Sequence, residues 1–343
     1  MRLLLQHCHA VLFLLVHLIL ASSVVPSAGA KKYCGSQPAT PRVKYGSIHL
    51  HPMWENGVIP AATLNWPGMP AVLWSFPGSG STWIKSLLSW CSGYGTSSVY
   101  FNPYFIFDGA FPLSSKQECR QAKLIAVKAH PIHIKGMLNN RNALRNICGG
   151  SANRVIISVR HPLAAIWSGW KLSKTFGQNP GNMFFQKHLG HWQATLESEA
   201  KAWAALWAPP SGEYYTWVKR QPANRTFVAR FEDMLNMTCL PYIVSDMLRF
   251  VNVVPNATTI SCGIDTLKHN TRSSWFRGSL AENISRPVSL QEALSVAESA
   301  AQNAWEIVAP YATRFGYARD PASPPQGSSC GRYTKYSTNY GVD

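Results

Sequence analysis

Between residues 71 and 90 the chain runs through a strand, a tight turn and a helix in immediate succession. Ala71-Val72-Leu73-Trp74-Ser75-Phe76 is a short, nearly continuous apolar run, the pattern of a strand buried on both faces. It breaks at Pro77-Gly78-Ser79-Gly80 and restarts as Thr82-Trp83-Ile84-Lys85-Ser86-Leu87-Leu88-Ser89-Trp90, whose apolar residues share one helical face. A turn of this kind aims several backbone N–H groups at one spot beside a helix N-terminus, which makes it a ready anion site. Gly78 and Gly80 allow close backbone approach, and Ser79, Ser81 and Thr82 add hydroxyl donors. The Walker pattern needs a Lys after its second Gly, and here Ser81 follows Gly80, which disfavours a nucleoside-triphosphatase. An ordinary strand-to-helix turn is the plain alternative on these residues alone.

The rest of the chain supplies a setting for that turn. Leu124 to Val127, Val155 to Val159 and Thr226 to Phe231 are further apolar runs of strand length, and helical patterns cover 162–172, 191–207, 239–252 and 289–309. Strands alternating with helices predict an α/β fold, a parallel sheet with helices on both faces. One domain from about 65 to 318 is the economical reading, with a lead-in over 31–64 and a loose tail over 319–343. Hydrophobic residues make up 46% of the 343, enough for a core of that size, and the aromatic content excludes a disordered chain. Trp192, Trp203 and Trp207 fall on one helical face and are expected in that core.

Residues 1–30 read as a targeting segment, either a cleaved signal peptide ending at Ala28-Gly29-Ala30 or a short single-pass signal-anchor. Either way the chain is expected in the lumen of the secretory pathway, in the Golgi or secreted. Asn224, Asn236, Asn256 and Asn283 head Asn-x-Ser/Thr acceptors for glycosylation. Without Cys8 of the leader, seven cysteines remain, an odd number that leaves at least one thiol unbridged within the chain. A Cys34–Cys330 bridge is one conceivable pairing, and no cysteine pair has metal-site spacing, so no metal is expected.

Phe76-Pro77-Gly78-Ser79-Gly80-Ser81-Thr82-Trp83 resembles the phosphosulfate-binding loop of the sulfotransferases, Tyr-Pro-Lys-Ser-Gly-Thr-Thr-Trp in the cytosolic branch. It is closer still to the Phe-Pro-Gly-x-Gly-x-Thr-Trp version of the WSC-domain-containing sulfotransferases. Two further segments follow in the family's order. Lys128-Ala129-His130-Pro131 resembles its Lys-Thr/Ser-His motif, and Arg160-His161-Pro162 with Ser168 resembles its Arg-Asn/Asp-Pro motif with a Ser eight residues on. His161 stands where the family has Asn or Asp. Arg230-Phe231-Glu232-Asp233 resembles a downstream strand end, where Glu232 is expected to be structural. Trp275-Phe276-Arg277-Gly278 resembles the Phe-x-Arg-Lys-Gly loop, with Arg277 as its evident cation and Arg272 as a weaker candidate.

The resemblance covers about residues 70–280 and implies a P-loop-like, single sulfotransferase domain that uses 3′-phosphoadenosine 5′-phosphosulfate as co-substrate. It implies that Gly78, Ser79, Gly80, Ser81 and Thr82 hold the phosphosulfate, with Trp83 against the adenine. Arg160, Ser168 and Arg277 are then expected at the 3′-phosphate, a role for which a guanidinium is suited because it can fork onto two oxygens. His130 is implied as the general base, chemically apt because imidazole accepts a proton near neutrality, whereas His133 lies off the motif. The loop lysine of the cytosolic branch is Gly78 here, so Lys128, Lys85 or the loop's own N–H groups are expected to stabilise the leaving phosphate.

The acceptor is a hydroxyl, expected on a glycan or a protein, and the formal charge of +16 suits a polyanionic donor. Two readings from other classes stand beside this one: a non-catalytic, secreted polyanion-binding protein on the same fold, and a small-molecule kinase. Nucleic acid is not an expected partner, since no recognition motif accompanies the charge.

Overall fold

The computed structural model describes residues 70–92, 94–98, 111–112, 124–130, 154–175, 180–220, 223–274 and 288–327. The leader, the lead-in, the start of the domain at 65, His133, Arg277, Asn283, Cys34 and Cys330 lie outside the described residues.

Six parallel strands form the sheet: β1 Ala71–Ser75, β2 Gly95–Ser98, β3 Phe111–Pro112, β4 Leu124–Ala129, β5 Val155–Val159 and β6 Thr226–Arg230. Their spatial order is β3-β2-β4-β1-β5-β6, so β1 is central between β4 and β5. β1 is buried throughout because its two faces both meet helices. Ala71 and Leu73 pack with helices α1 (Ser81–Ser92), α7 (Leu240–Phe250) and α8 (Ala257–Ser274). Val72 and Trp74 pack on the opposite side with α2 (Pro162–Thr175), α4 (Leu189–Trp207) and α10 (Glu298–Ala312). That alternation is the two-residue period of a strand, and it produces the helices on both faces that the pattern of elements predicts. Shorter helices α3 (Asn182–Lys187), α5 (Glu213–Arg220), α6 (Phe231–Leu235) and α9 (Leu290–Ser295) fill the connections.

The expected helices appear with small changes of extent. Trp192, Trp203 and Trp207 are buried along one face of α4, as their spacing predicts. The pattern over 289–309 divides into α9 and α10. Ser289 opens α9 with a capping box, its hydroxyl accepting from the Glu292 N–H while the Glu292 carboxylate accepts from the Ser289 N–H.

The expected loose tail from 319 begins instead as a bonded strap. Gln326 N–H donates to the Gly316 carbonyl (2.9 Å), and Arg230 Nη1 donates to the carbonyls of Phe315 (2.8 Å) and Gln326 (2.9 Å). Arg230 is buried at the end of β6 and its Nε donates to Asp233 Oδ2 at 2.7 Å. A buried charge pair of this kind persists because further hydrogen bonds to carbonyls take up both Nη1 protons. Periodicity could not show the strap, since its partners are backbone carbonyls rather than an apolar face.

Two cysteines, Cys239 and Cys262, are disulfide-bonded, while Cys91 is a free thiol whose burial raises its pKa to about 12. Arg230→Met should destabilise the fold by about 3–5 kcal/mol, because it strands the Asp233 carboxylate. Urea unfolding of this variant checks that, and a loss below ~1 kcal/mol, the level of an exposed pair, would show that the pair is not what holds the strap.

Candidate functional site

All six strands point the same way, so the C-terminal ends of β1, β4 and β5 lie side by side, where open α/β sheets take their ligands. The turn after β1 occupies that edge. Ser79 N–H donates to the Phe76 carbonyl (3.1 Å), closing the turn, and Ile84 N–H to the Gly80 carbonyl (3.0 Å) starts the first turn of α1. Gly78 (φ 82°) and Gly80 (φ 84°) are both in the left-handed region that glycine enters without strain. Space demands them as well. A Cβ on Gly78 would collide with the Ala165 carbonyl of α2 and come within 2.9 Å of the Gly169 nitrogen, while one on Gly80 would collide with the Phe231 ring.

Three other segments close around this turn. From β5, Arg160 Nη1 donates to the Gly78 carbonyl (2.8 Å), and its guanidinium lies 4.6 Å from the centre of the Phe231 ring. Burial works against the Arg160 charge, while Glu232 and Tyr317 act to keep it. From α2, Ser168 faces the turn, its Cβ 3.0 Å from where a Gly78 Cβ would stand. From β4, Lys128 Nζ donates to Thr82 Oγ1 at 3.0 Å, at the first turn of α1. Burial lowers the Lys128 pKa to about 8, so a cation is held at the loop by a residue from another strand.

His130 follows β4 and reaches across to β1. Its Nδ1 lies 2.7 Å from the Ser75 carbonyl oxygen, with Ser75 Oγ at 3.1 Å. A carbonyl can only accept, so Nδ1 carries the proton and the lone pair is on Nε2. An imidazole oriented in this tautomer is a base with a defined accepting atom. Ser79 Oγ is fully buried at the turn and has no hydrogen-bond partner among the described residues. An orphaned buried hydroxyl inside an N–H-lined turn fits an anion at that position.

His161 takes a different part from its neighbour Arg160. It is buried, its backbone N–H donates to Glu232 Oε1 (2.9 Å), and its Nε2 donates to the Ala318 carbonyl (2.7 Å). Its ring stacks on Trp305, and burial lowers its pKa to about 4, so it is neutral and part of the scaffold. Glu232 accepts from Tyr317 Oη (2.7 Å) as well, which is the structural role expected of it. Trp83 is half-buried and packs against the core layer of α1, α7 and α8. Lys85 is buried within α1, and Arg272 lies in the last turn of α8.

One cation escaped the sequence reading. Lys171 stands one helical turn beyond Ser168, its Nζ 5.6 Å from the Trp167 ring centre, and burial together with the Arg160 charge lowers its pKa to about 8. Its spacing from Ser168, three residues on a helix, was the available signal.

Gly78→Lys, which introduces the lysine of the loop that this turn resembles, should destabilise the protein by about 1–3 kcal/mol through the forced positive φ alone. Denaturant unfolding measures this, and a variant as stable as the parent would mean that the turn is not pinned against α2.

No protein-family model matches the chain, and none of the curated proteins matches it. Among solved structures it is similar to a mouse sulfotransferase, SULT7A1, complexed with PAP. The identity is 13%, over 66% of this chain and 74% of that one, with a TM-score of 0.37.

Proposed function

We propose that this chain is a sulfotransferase that moves a sulfuryl group from 3′-phosphoadenosine 5′-phosphosulfate to a hydroxyl on a glycan or protein in the secretory pathway. The observation that carries the reading is the convergence of Lys128, Arg160 and Ser168 on one glycine turn, from two strand ends and a helix, with the oriented His130 seated on Ser75 at the end of the strand that leads into it. The motif resemblances at these positions came from sequence, whereas the convergence is a property of the fold. The two disulfide-bonded cysteines agree with an oxidising, lumenal compartment.

The donor supplies an activated sulfuryl group on a phosphate leaving group. The N–H groups and hydroxyls of Gly78 to Thr82 hold its 5′ end, and Trp83 borders the base. Arg160 and Ser168 hold the 3′-phosphate, and the motif resemblance adds Arg277 as a further cation for it. His130 Nε2 accepts the acceptor's hydroxyl proton as the new S–O bond forms, and the Ser75 carbonyl keeps the ring in the accepting tautomer. Lys128, fixed at Thr82, places positive charge beside the phosphate from which the sulfuryl group departs. This arrangement answers the absence of a loop lysine: the backbone takes the volume at Gly78, and the charge arrives from β4.

Release of adenosine 3′,5′-bisphosphate from the phosphosulfate, across a panel of hydroxyl acceptors, tests the reading. His130→Ala should lower turnover ~10²–10⁴-fold with donor affinity retained. An active His130→Ala enzyme would remove the histidine from the mechanism, and no turnover with any acceptor would favour the non-catalytic polyanion-binding reading. A second expectation concerns pH. Lys128 is charged below about 8 and neutral above it, so kcat/KM should fall as pH rises through about 8. Lys128→Arg should move that alkaline limb upward, and an unmoved limb would exclude Lys128 as its source.

A further inference from the structure

The charges of this chain are segregated. Between Glu118 and Glu197 there is no Asp or Glu at all, while the same stretch holds eleven Lys and Arg residues and five His. In the fold that stretch supplies β4, β5, α2, α3 and the start of α4. Acidic side chains resume only with Glu197 on the third turn of α4, where Glu197 is at once paired with Lys201 (2.7 Å).

Within this acid-free region a line of contacts leads away from the glycine turn. Ser168 of α2 abuts Gly78, and Lys171, one turn on, lies over the Trp167 ring. Trp170 stacks on Trp167 with ring centres 5.2 Å apart, and its Nε1 donates to His191 Nδ1 (3.1 Å) at the beginning of α4. Lys174, one turn beyond Trp170, and His188 both act electrostatically on His191. His188 stacks on the exposed Phe184 ring at 4.2 Å, and Lys187 beside it is exposed. Arg160, Lys171, Lys174, Lys187, His188 and His191 therefore follow one another from the anion turn across α2 to the α3–α4 corner.

We infer that this strip binds an anionic polysaccharide, whose chain runs from the α3–α4 corner toward the glycine turn. Charge complementarity sets the sign of the partner, since the stretch that supplies the strip carries no Asp or Glu, and a run of like charge gains most from a polymer that spans several of its cations at once. The kind of polymer follows from two other features. An exposed aromatic ring among the cations suits the C–H face of a sugar, and disulfide-bonded Cys239 and Cys262 belong to a compartment where polysaccharides rather than polynucleotides are met. Under the enzymatic reading this polymer is the acceptor, but the strip is argued from the surface alone.

The test uses the purified full chain and heparin oligosaccharides of defined length, with affinity measured across a series of salt concentrations. The wild type should bind with a steep salt dependence that grows with oligosaccharide length up to the span of the strip. Lys174→Glu/Lys187→Glu should weaken binding ~10-fold or more and reduce the salt slope by about two, one for each lost cation. Lys187→Glu alone, at an exposed position that bears no packing load, should give about half that change in slope. Arg249→Glu, on α7 across the sheet, should bind as the wild type does.

Equal weakening by the α7 variant would overturn the inference, because the binding would then follow net charge alone. Tighter binding to single-stranded polynucleotide or to acidic phospholipid vesicles than to heparin would overturn the choice of partner. Adenosine 3′,5′-bisphosphate, titrated into the same protein, separates the two proposals. Bisphosphate binding without heparin binding defeats the strip alone, and heparin binding without bisphosphate binding defeats the enzymatic reading alone.

Discussion

The close approach of the glycine turn to helix α2 is the contact from which the rest of the site is measured out. Gly78 takes a positive φ and leaves no room for a side chain, so the backbone lies directly against Ala165, Ser168 and Gly169. With the turn seated there, its Gly78 carbonyl meets Arg160 from β5, its Ser79 carbonyl meets the Ser158 hydroxyl, and Thr82 meets Lys128 from β4. A side chain at 78 would lift the turn and break all three. A side chain at 78 and the present packing are therefore alternatives, and the cation at this turn comes from β4.

Beneath that layer a second set of polar contacts holds the strand ends in place. Glu232 receives the His161 N–H and the Tyr317 hydroxyl, His161 reaches the Ala318 carbonyl, and Arg230 joins Asp233 to the carbonyls of Phe315 and Gln326. The bonds to Phe315, Tyr317, Ala318 and Gln326 join the C-terminal strap to the ends of β5 and β6, and those within His161–Glu232 and Arg230–Asp233 tie the strand ends to α6. The residues that depart from the sulfotransferase pattern or accompany it without touching the turn, His161 and Glu232, belong to this brace. Arg160 sits between the two layers, bonded to the turn above and held charged by Glu232 and Tyr317 below.

How much of this could be read beforehand depended on whether a residue's partner was local. The strands at 71, 124, 155 and 226 were legible because burial on both faces writes an apolar run. β2, Gly-Thr-Ser-Ser, was not, since its pairing with β4 is supplied by neighbours rather than by its own composition. Helix α8 was missed for a related reason. It is rich in Ser and Thr, and among its described side chains Ile260, Ile264 and Leu267 mark its inner face, while Gly263 lets it press onto Trp90. Within the site, motif spacing singled out Arg160, Ser168 and Lys128, and the fold brings all three beside the turn. What sequence could not convey was that Gly78 is enforced by α2, that Lys128 reaches Thr82, and that His161 turns away from the turn into the core.

A nucleoside 3′,5′-bisphosphate group is the ligand proposed for the turn and its converging cations. The most direct measurement is a thermal unfolding titration with adenosine 3′,5′-bisphosphate, with Mg-ATP as comparator. Ligand at about 100 times its dissociation constant stabilises the folded state by about 2.7 kcal/mol, a readily visible shift. Stabilisation by the bisphosphate and none by Mg-ATP is the expected result. Stabilisation by Mg-ATP alone would make the chain a kinase candidate, and no shift with either ligand would contradict the claim.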